Sequence, residues 1–368
     1  MALPIERFTL GVEEEYQIVD GTTLALAGRE ADVLPRAERE LGSAVAPELQ
    51  QSMIEIATPI CSTLADVRRE LERARKRVVS AARERGSRIA AQGTHPFSDW
   101  REQTITEKPR YREIKAMYGL IANETVICGC HVHVALPGRD VAIDAMSRVR
   151  SQLAPLLALS ANSPYWLGTD SHYASFRTEI WSRWPTAGPP LGFDSEGEYD
   201  DLVAALVRSG VVEDETKLYW DVRPSCRFPT LEFRVADVAM TIDGAVLLAG
   251  LARALARSAY LAGDRGEAVP AARHEVVRAA HWHAARYGLD GELVDARTGE
   301  RAPARQVVEA LLVQLRDALE EAGDYEEVAA LARDVLQGGT GAKRQREVFK
   351  RTGDLRDVVA YVVAKTEA

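Results

Sequence analysis

With 368 residues, 46% of them hydrophobic and 27% charged, the chain can bury a large core and has the ordinary balance of a water-soluble globular protein. Its net charge of −9 argues against a nucleic-acid surface and is compatible with metal and nucleotide chemistry. The most apolar stretch, residues 245–262, is interrupted by Arg253 and Arg257 and is too short to span a bilayer, so it reads as a buried helix and no membrane partner is expected.

The first predicted element is a β-strand over residues 8–19, whose centre reads Gly11-Val12-Glu13-Glu14-Glu15-Tyr16. Alternation places Glu13 and Glu15 on one face and Glu14 on the other, where it adds nothing to a site. Paired carboxylates of this kind either mark the solvent face of an edge strand or hold a hard divalent cation. A helix over 29–41 follows, then a second strand over 47–58, stopped by Pro59 and carrying Glu48 and Glu55. Seven positions apart, these two reach one site only through a bulge or bend. Apolar residues at helical spacing predict a helix over 63–85, with Arg68, Arg69, Arg73, Arg75 and Arg77 on its solvated face.

Residues 89–94 form a strand candidate running into the turn His95-Pro96-Phe97, and 111–122 a helix. Residues 125–136 are rich in β-branched side chains and read as a strand with His131 and His133 on one face. Helices are expected at 140–162 and 201–210. Between them, residues 163–198 form a long aromatic, Pro/Gly-rich connection holding Arg177 and Trp181, of a length that suits a wall or lid over a site. Strands at 219–224 and 230–235 bring Arg223, Glu232 and Arg234, the last two on one face.

The remaining third is helical, with helices from about 241, at 272–287, 303–322, 325–336 and 354–366. Gly338-Gly339-Thr340-Gly341 reads as a break before the last of them. His274 and His281, seven apart on one helix face, read as helix-surface or interface residues rather than ligands. No linker or repeat is visible, so a single catalytic domain over 1–368 is expected, with its strands within 8–240 and a helical part from 241. The four cysteines show no CxxC pair and the N-terminus no signal-peptide succession, which together predict a cytoplasmic location.

Glu13, Glu15, Glu48, Glu55 and Glu232 with a histidine make an oxygen-rich ligand set, suited to Mg²⁺ or Mn²⁺ rather than zinc. Several such cations beside Arg177, Arg223 and Arg234 are what phosphoryl transfer needs. There is no GxxxxGK[ST] loop and no GxGxxG after a strand, so a nucleotide would be held on an open sheet through its metals.

GVEEE, ELQQSMIEIAT, AQGTHPF, GCHVHV, ANSPYWLGTDSHYASFR, YWDVRPS, LEFRVAD and ARYGLDG, in this order from residue 8 to about 291, resemble the YbdK-type carboxylate–amine ligases, the bacterial glutamate–cysteine ligase type 2 group. The resemblance implies an α+β, glutamine-synthetase-like fold: a curved, mainly antiparallel sheet forming a funnel, with helices on its back. It also implies use of ATP and Mg²⁺ to activate a carboxylate as an acyl phosphate, which an amine then attacks. Carried over by residue, Glu13, Glu15, Glu48, Glu55, His131 and Glu232 are metal ligands. His133 lies beside the phosphates, Arg234 near the transferred phosphate, and Arg177 and Arg223 on phosphate or substrate carboxylate. The partners implied are a small amino acid and an amine, glutamate and cysteine being the group's nominal pair, and a homo-oligomer is compatible with it. The competing readings are another acid and amine for the same mechanism, a metal-dependent hydrolase, and a nucleotide-binding relative without catalysis.

Overall fold

The computed structural model describes residues 2–368. In chain order the main elements are β1 (Leu10–Asp20), α1 (Glu30–Leu41), β2 (Val45–Pro47), β3 (Met53–Ala57), α2 (Leu64–Arg83), β4 (Ser87–Ala90), α3 (Pro109–Tyr118), α4 (Leu120–Glu124) and β5 (Gly129–Ala135). They continue with α5 (Arg139–Val149), α6 (Ala154–Ser160), β6 (Tyr165–Trp166), β7 (Thr169–Asp170), α7 (Phe176–Trp181), α8 (Glu196–Arg208), β8 (Val222–Pro224) and β9 (Thr230–Asp237). The helical part holds α9 (Ile242–Asp264), α10 (His274–Tyr287), the small hairpin β10 (Glu292–Val294) and β11 (Arg301–Pro303), then α11 (Ala304–Gln314), α12 (Arg316–Glu321), α13 (Tyr325–Gly338), α14 (Gly341–Thr352) and α15 (Leu355–Thr366).

One antiparallel sheet organises the molecule, in the order β2-β3-β1-β5-β9-β8, with β4 also paired to β1. β1 divides its second edge: residues 10–14 pair with β5 and residues 17–20 with β4, leaving Glu15 at the seam. Leu10, Val12, Tyr16 and Ile18 are buried on the back face, where α2, α5 and α9 cover the sheet. α9 is long and apolar enough to cross a membrane, but 78% of its most apolar window is buried inside this core. Its two arginines are paired there, Arg253 with Asp324 and Arg257 with Glu321.

Several expectations change. Residues 47–58 are two strands, because the chain folds back after Pro47; β2 and β3 pair antiparallel, and Glu48 lies on the connection between them. That reversal supplies the bend needed to bring Glu48 and Glu55 together. The helix expected over 111–122 breaks at Gly119, whose φ of +55° ends α3. Residues 163–198 carry β6, β7 and α7 instead of an unstructured loop. α14 follows the Gly338–Gly341 break and escaped the sequence pattern because its run KRQREVFKR is mostly polar; its start is marked by Thr340, which caps Lys343 N–H.

The largest correction concerns Arg75 and Glu14. Arg75 does not lie on the solvated face of α2: its side chain is 3% exposed and that of Glu14 is fully buried. Arg75 Nη2 is 2.5 Å from Glu14 Oε1 and Nε 2.9 Å from Oε2, while the Tyr16 hydroxyl donates to Oε2 at 2.5 Å. The same guanidinium donates to the carbonyls of Met240 (3.2 Å) and Ala239 (2.8 Å), tying β1 and α2 to the segment that enters α9. Arg75→Leu leaves Glu14 buried without a counter-charge and is expected to cost about 3–5 kcal/mol in urea unfolding. Glu14→Leu combined with Arg75→Leu should recover part of that, since only the two carbonyls and the Tyr16 hydroxyl then lack partners. A single variant within 1 kcal/mol of wild type, on the order of a surface change, would show that the pair does not hold the strand.

Candidate active site

The uncovered face of the sheet collects acidic side chains by register. Glu15 sits opposite Glu55, Glu13 opposite His131, His133 opposite Glu232, and Glu232 opposite Arg223. Residues directly opposite on antiparallel strands place their side chains side by side, so four strands deliver one row of ligating groups. β9 adds a bulge: Arg234 and Val235 together face His131, which turns the Arg234 side chain over the row.

Two clusters result. Glu13, His133 and Glu232 have donor atoms within 4.8 Å of one another, and so do Glu15, Glu48 and Glu55. His131 lies between them, Nδ1 3.2 Å from Glu13 Oε2 and Nε2 3.8 Å from Glu15 Oε1. His133, expected beside the phosphates, is thus the imidazole of the first cluster, while His131, expected as a ligand, can serve either. His133 Nδ1 is 2.9 Å from Thr230 Oγ1, and its buried Nε2 lies 3.5 Å from Glu13 Oε1, a long contact.

The electrostatics of the clusters differ. Burial raises the Glu13 carboxyl, but hydrogen bonds and the fields of His131 and His133 overcome it and hold the group well below its usual range. Glu232 is likewise held low against burial by Arg234 and Arg223. Arg223 Nε donates to Glu232 Oε2 at 2.9 Å, and Arg234 pairs with Oε1. In the second cluster burial pushes Glu55 well up, and Glu48, Glu13 and Glu15 push it further; burial and Glu48 also raise Glu15. Among the described residues no lysine, arginine or histidine forms an ion pair with Glu48 or Glu55, whereas Glu15 is met by the fields of His131 and Arg177 and by the Gly129 N–H at 2.5 Å. Three carboxylates packed together, two of them without any ion-pair partner, are a donor set that fits hard divalent cations.

Arg177 is buried, not perched on a lid. α7 is a wall of the cleft, and the Arg177 guanidinium lies across Gly129, where a Cβ would collide with it. Nη1 is 4.0 Å from Asp237 Oδ1 and Nη2 3.4 Å from the Arg234 carbonyl, while Nε has no partner; Arg234 Nε is also buried and unpartnered. Asp237 is a residue the sequence pattern did not single out. It accepts from Asn162 N (2.8 Å), Ser163 Oγ (2.6 Å) and Ser175 Oγ (2.7 Å), which fixes the wall that carries Arg177. Trp181, from the same helix, stands with its ring centroid 5.8 Å from the Arg234 guanidinium carbon. The row opens into a cavity of about 390 Å³, whose mouth is edged by Lys108, Arg110 and Tyr111 on one side and Arg227 and Phe228 on the other. None of these carried a signal in the sequence, since they converge only through α3 and the β8–β9 turn.

The sequence model of the glutamate–cysteine ligase family 2 matches residues 9–361. A Frankia alni protein bearing the name "Putative glutamate--cysteine ligase 2-2" is 42% identical, with 97% of each chain covered. One from Rhodopirellula baltica, "Putative glutamate--cysteine ligase 2", is 41% identical, covering 97% of this chain and 96% of that protein. Among solved structures, a bifunctional glutathione synthetase from Pasteurella multocida superposes with a TM-score of 0.74 at 17% identity, and this chain, 99% of it covered, spans 53% of that one. A glutamate–cysteine ligase from Francisella tularensis, in complex with AMP, superposes with a TM-score of 0.71 at 12% identity, over 98% of this chain and 89% of that one. At such identities these two similarities speak for the fold alone.

Glu55→Gln is expected to stabilise the metal-free protein at neutral pH while weakening its response to metal. Because the folded-state carboxyl is raised above its ordinary value of 4.5, its favourable contribution is present below that value and is lost as pH rises through the folded-state one. The variant should therefore gain on the order of 1 kcal/mol at pH 7 and show a flatter fall in stability above pH 4.5. Its melting temperature should rise less with Mg²⁺ than that of wild type. A variant destabilised at pH 7, with wild-type metal response, would contradict the cluster's electrostatics.

Proposed function

We infer the chemistry of this site from the premise that the chain belongs to glutamate–cysteine ligase family 2 and is an ATP-dependent carboxylate–amine ligase with a glutamine-synthetase-like fold. The proposed reaction transfers the γ-phosphoryl group of ATP to a substrate carboxylate, giving ADP and an acyl phosphate. An amine then attacks the acyl carbon and expels phosphate, leaving an amide. The observation that carries this reading is the pairing of two acidic clusters with two arginines, Arg177 and Arg234, whose buried Nε donors are unpartnered.

Glu13, His133 and Glu232 on one side and Glu15, Glu48 and Glu55 on the other, with His131 between, are the groups we assign to hold Mg²⁺ or Mn²⁺. Such cations supply charge neutralisation for phosphate oxygens and for the entering carboxylate. Arg234, fixed by Glu232 and the bulge, is assigned to the transferring phosphoryl group, where a planar guanidinium can follow charge as it shifts between oxygens. Arg223 orients Glu232 and is assigned to the same end. Arg177 is assigned to the acyl-phosphate side, in a cleft wall that keeps out water, because hydrolysis would compete with the amine. Glutamate as acid and cysteine as amine are the pair the family's description suggests. The four cysteines are free, three of them buried, which supports a reducing cytoplasm as the working compartment.

ADP release measured across a panel of acids and amines tests the reading: release should require both an acid and a divalent cation, and amide should accumulate only with an amine. Release that depends on neither acid nor amine would favour a hydrolase. Glu232→Gln should lower turnover by about a thousandfold or more while leaving the fold intact, because several kcal/mol of electrostatic stabilisation is lost. Arg177→Ala should raise the ratio of ADP to amide, and Arg177→Lys should restore it poorly, since an ammonium cannot reproduce a bidentate contact. Unchanged ratios in both would reduce Arg177 to a packing residue.

A further inference from the structure

Arg177 takes its place from residues that do not line the cleft. Asn162 and Ser163, just after α6, and Ser175, which caps α7, converge on the Asp237 carboxylate, and all four are at most 1% exposed. Ser163 also receives the first turn of α7. Its carbonyl accepts from Phe176 N–H at 3.0 Å and its Oγ from Arg177 N–H at 3.1 Å, so it links Asp237 to the backbone of Arg177 itself. Asn162 is braced in turn, its Nδ2 donating to the carbonyls of Ala91 and Val238 at 2.9 Å each.

From the other side comes α14. Gln345, fully buried, donates its Nε2 to the Asn162 carbonyl at 3.1 Å and to Asn162 Oδ1 at 2.8 Å, across 183 positions of sequence. Ala342 N–H adds a bond to the Ala161 carbonyl at 2.9 Å. The Gly338–Gly341 break allows this approach, because a Cβ on Gly341 would run into Asn162 Oδ1. A Cβ on Gly93 would stand 2.9 Å from both Asp237 Cγ and Ser163 Cβ, so the hub is closed on that side as well.

Packing alone does not call for these groups. Asp237 is a fully buried carboxylate whose ion-pair partner, Arg177 Nη1, stands 4.0 Å away, and Gln345 Oε1 is buried without a hydrogen-bond partner. Both carry burial costs that a leucine or methionine would avoid. What they provide is direction: a chain of donors and acceptors that fixes where α7 begins, and with it where the Arg177 guanidinium lies across Gly129. We propose that Asn162 and Gln345 are positioning residues, a brace through which α14 holds α7 and keeps Arg177 at its station in the cleft wall. The effect on the reaction rests on the ligase reading; the hold on α7 does not.

Three variants test the brace. Gln345→Met keeps the volume and removes both donors. Gly341→Ala pushes directly on Asn162 and adds no backbone strain of its own, since Gly341 is not among the residues of positive φ. Val348→Ala is the control: it loosens the same helix where it packs with Tyr165 and Val358, and leaves the donors to Asn162 in place. Amide hydrogen exchange is followed over residues 175–181 in the free protein. Both test variants should speed it about fivefold relative to the control, the worth of one neutral hydrogen bond. With substrates, the ratio of ADP to amide should rise by a similar factor in both and keep its wild-type value in the control. Added to Arg177→Ala, Gln345→Met should change that ratio no further, because the group it positions is gone. If Gln345→Met does not fold, Gly341→Ala decides alone, on its own and combined with Arg177→Ala. Unchanged exchange over α7 overturns the brace. Faster exchange with a wild-type ratio, or a further rise on the Arg177→Ala background, overturns its role in positioning Arg177. Faster exchange without acid-dependent ADP release sinks the ligase reading and leaves the brace standing.

Discussion

The buried pair between Glu14 and Arg75 sets the phase of the central strand. Because side chains alternate strictly, a slip of one residue would send Glu13 and Glu15 into the core and Glu14 into the cleft. Hydrophobic burial of Leu10, Val12, Tyr16 and Ile18 opposes such a slip, but the paired charge makes it prohibitive, since a carboxylate at that position is tolerated only where Arg75 waits for it. The three consecutive glutamates therefore divide their work: the middle one locks the strand from behind and its neighbours face the open cleft. Everything on the open face, from Glu55 across to Arg223, takes its position from pairing with strands registered to that one.

The open face carries the opposite balance. Glu15, Glu48 and Glu55 crowd together with no cationic side chain paired to Glu48 or Glu55, an arrangement that weakens the fold in the absence of a bound cation. The sheet tolerates it because the back face is so thoroughly buried. Glu232 shows the alternative solution, two arginines gripping one carboxylate. These arginines neutralise Glu232 in the free protein. The architecture thus keeps stability and chemistry on separate faces of one sheet, an economy common at active sites where local strain is retained for function.

Much of this was legible in the sequence. Alternation alone put Glu13 and Glu15 together, the HxH pair on one face, and Glu232 with Arg234. The long apolar helix α9 was placed in the core despite two arginines, and it is buried there, although at 23 residues it is longer than the stretch the sequence suggested and its length alone would allow a bilayer. What the sequence concealed was long-range. Arg75 looks like its neighbours on α2 until one sees that it faces Glu14, sixty-one positions earlier. His281 looks like a surface residue until β8 brings Asp221 against it. The turn after Pro47 was hidden because residues on both sides of it are strand-formers, and only pairing with β1 shows where the chain reverses. The bulge at Arg234 leaves no mark in composition. These misses share a cause: each depends on a partner that periodicity cannot see.

β1 shares its second edge between β5 and β4, and this has a consequence for the order in which the protein is made. The strand leaves the ribosome early, yet its contacts close late: Glu13 meets His131 across 118 positions, and Arg75 finds the Met240 carbonyl across 165. Until β5 has emerged, the half of β1 that bears the glutamates has only β3 beside it, whereas its other half can already be clamped by β4. Such non-local closure makes for slow assembly. The nascent chain therefore carries its cluster of acids without their histidine and arginine neighbours until β5, and then β8 and β9, have been made, and repulsion among them keeps that edge from sealing prematurely onto a wrong strand. The open face is complete only once β8 and β9 have arrived, and until then its acidic residues act as guardians of an open edge.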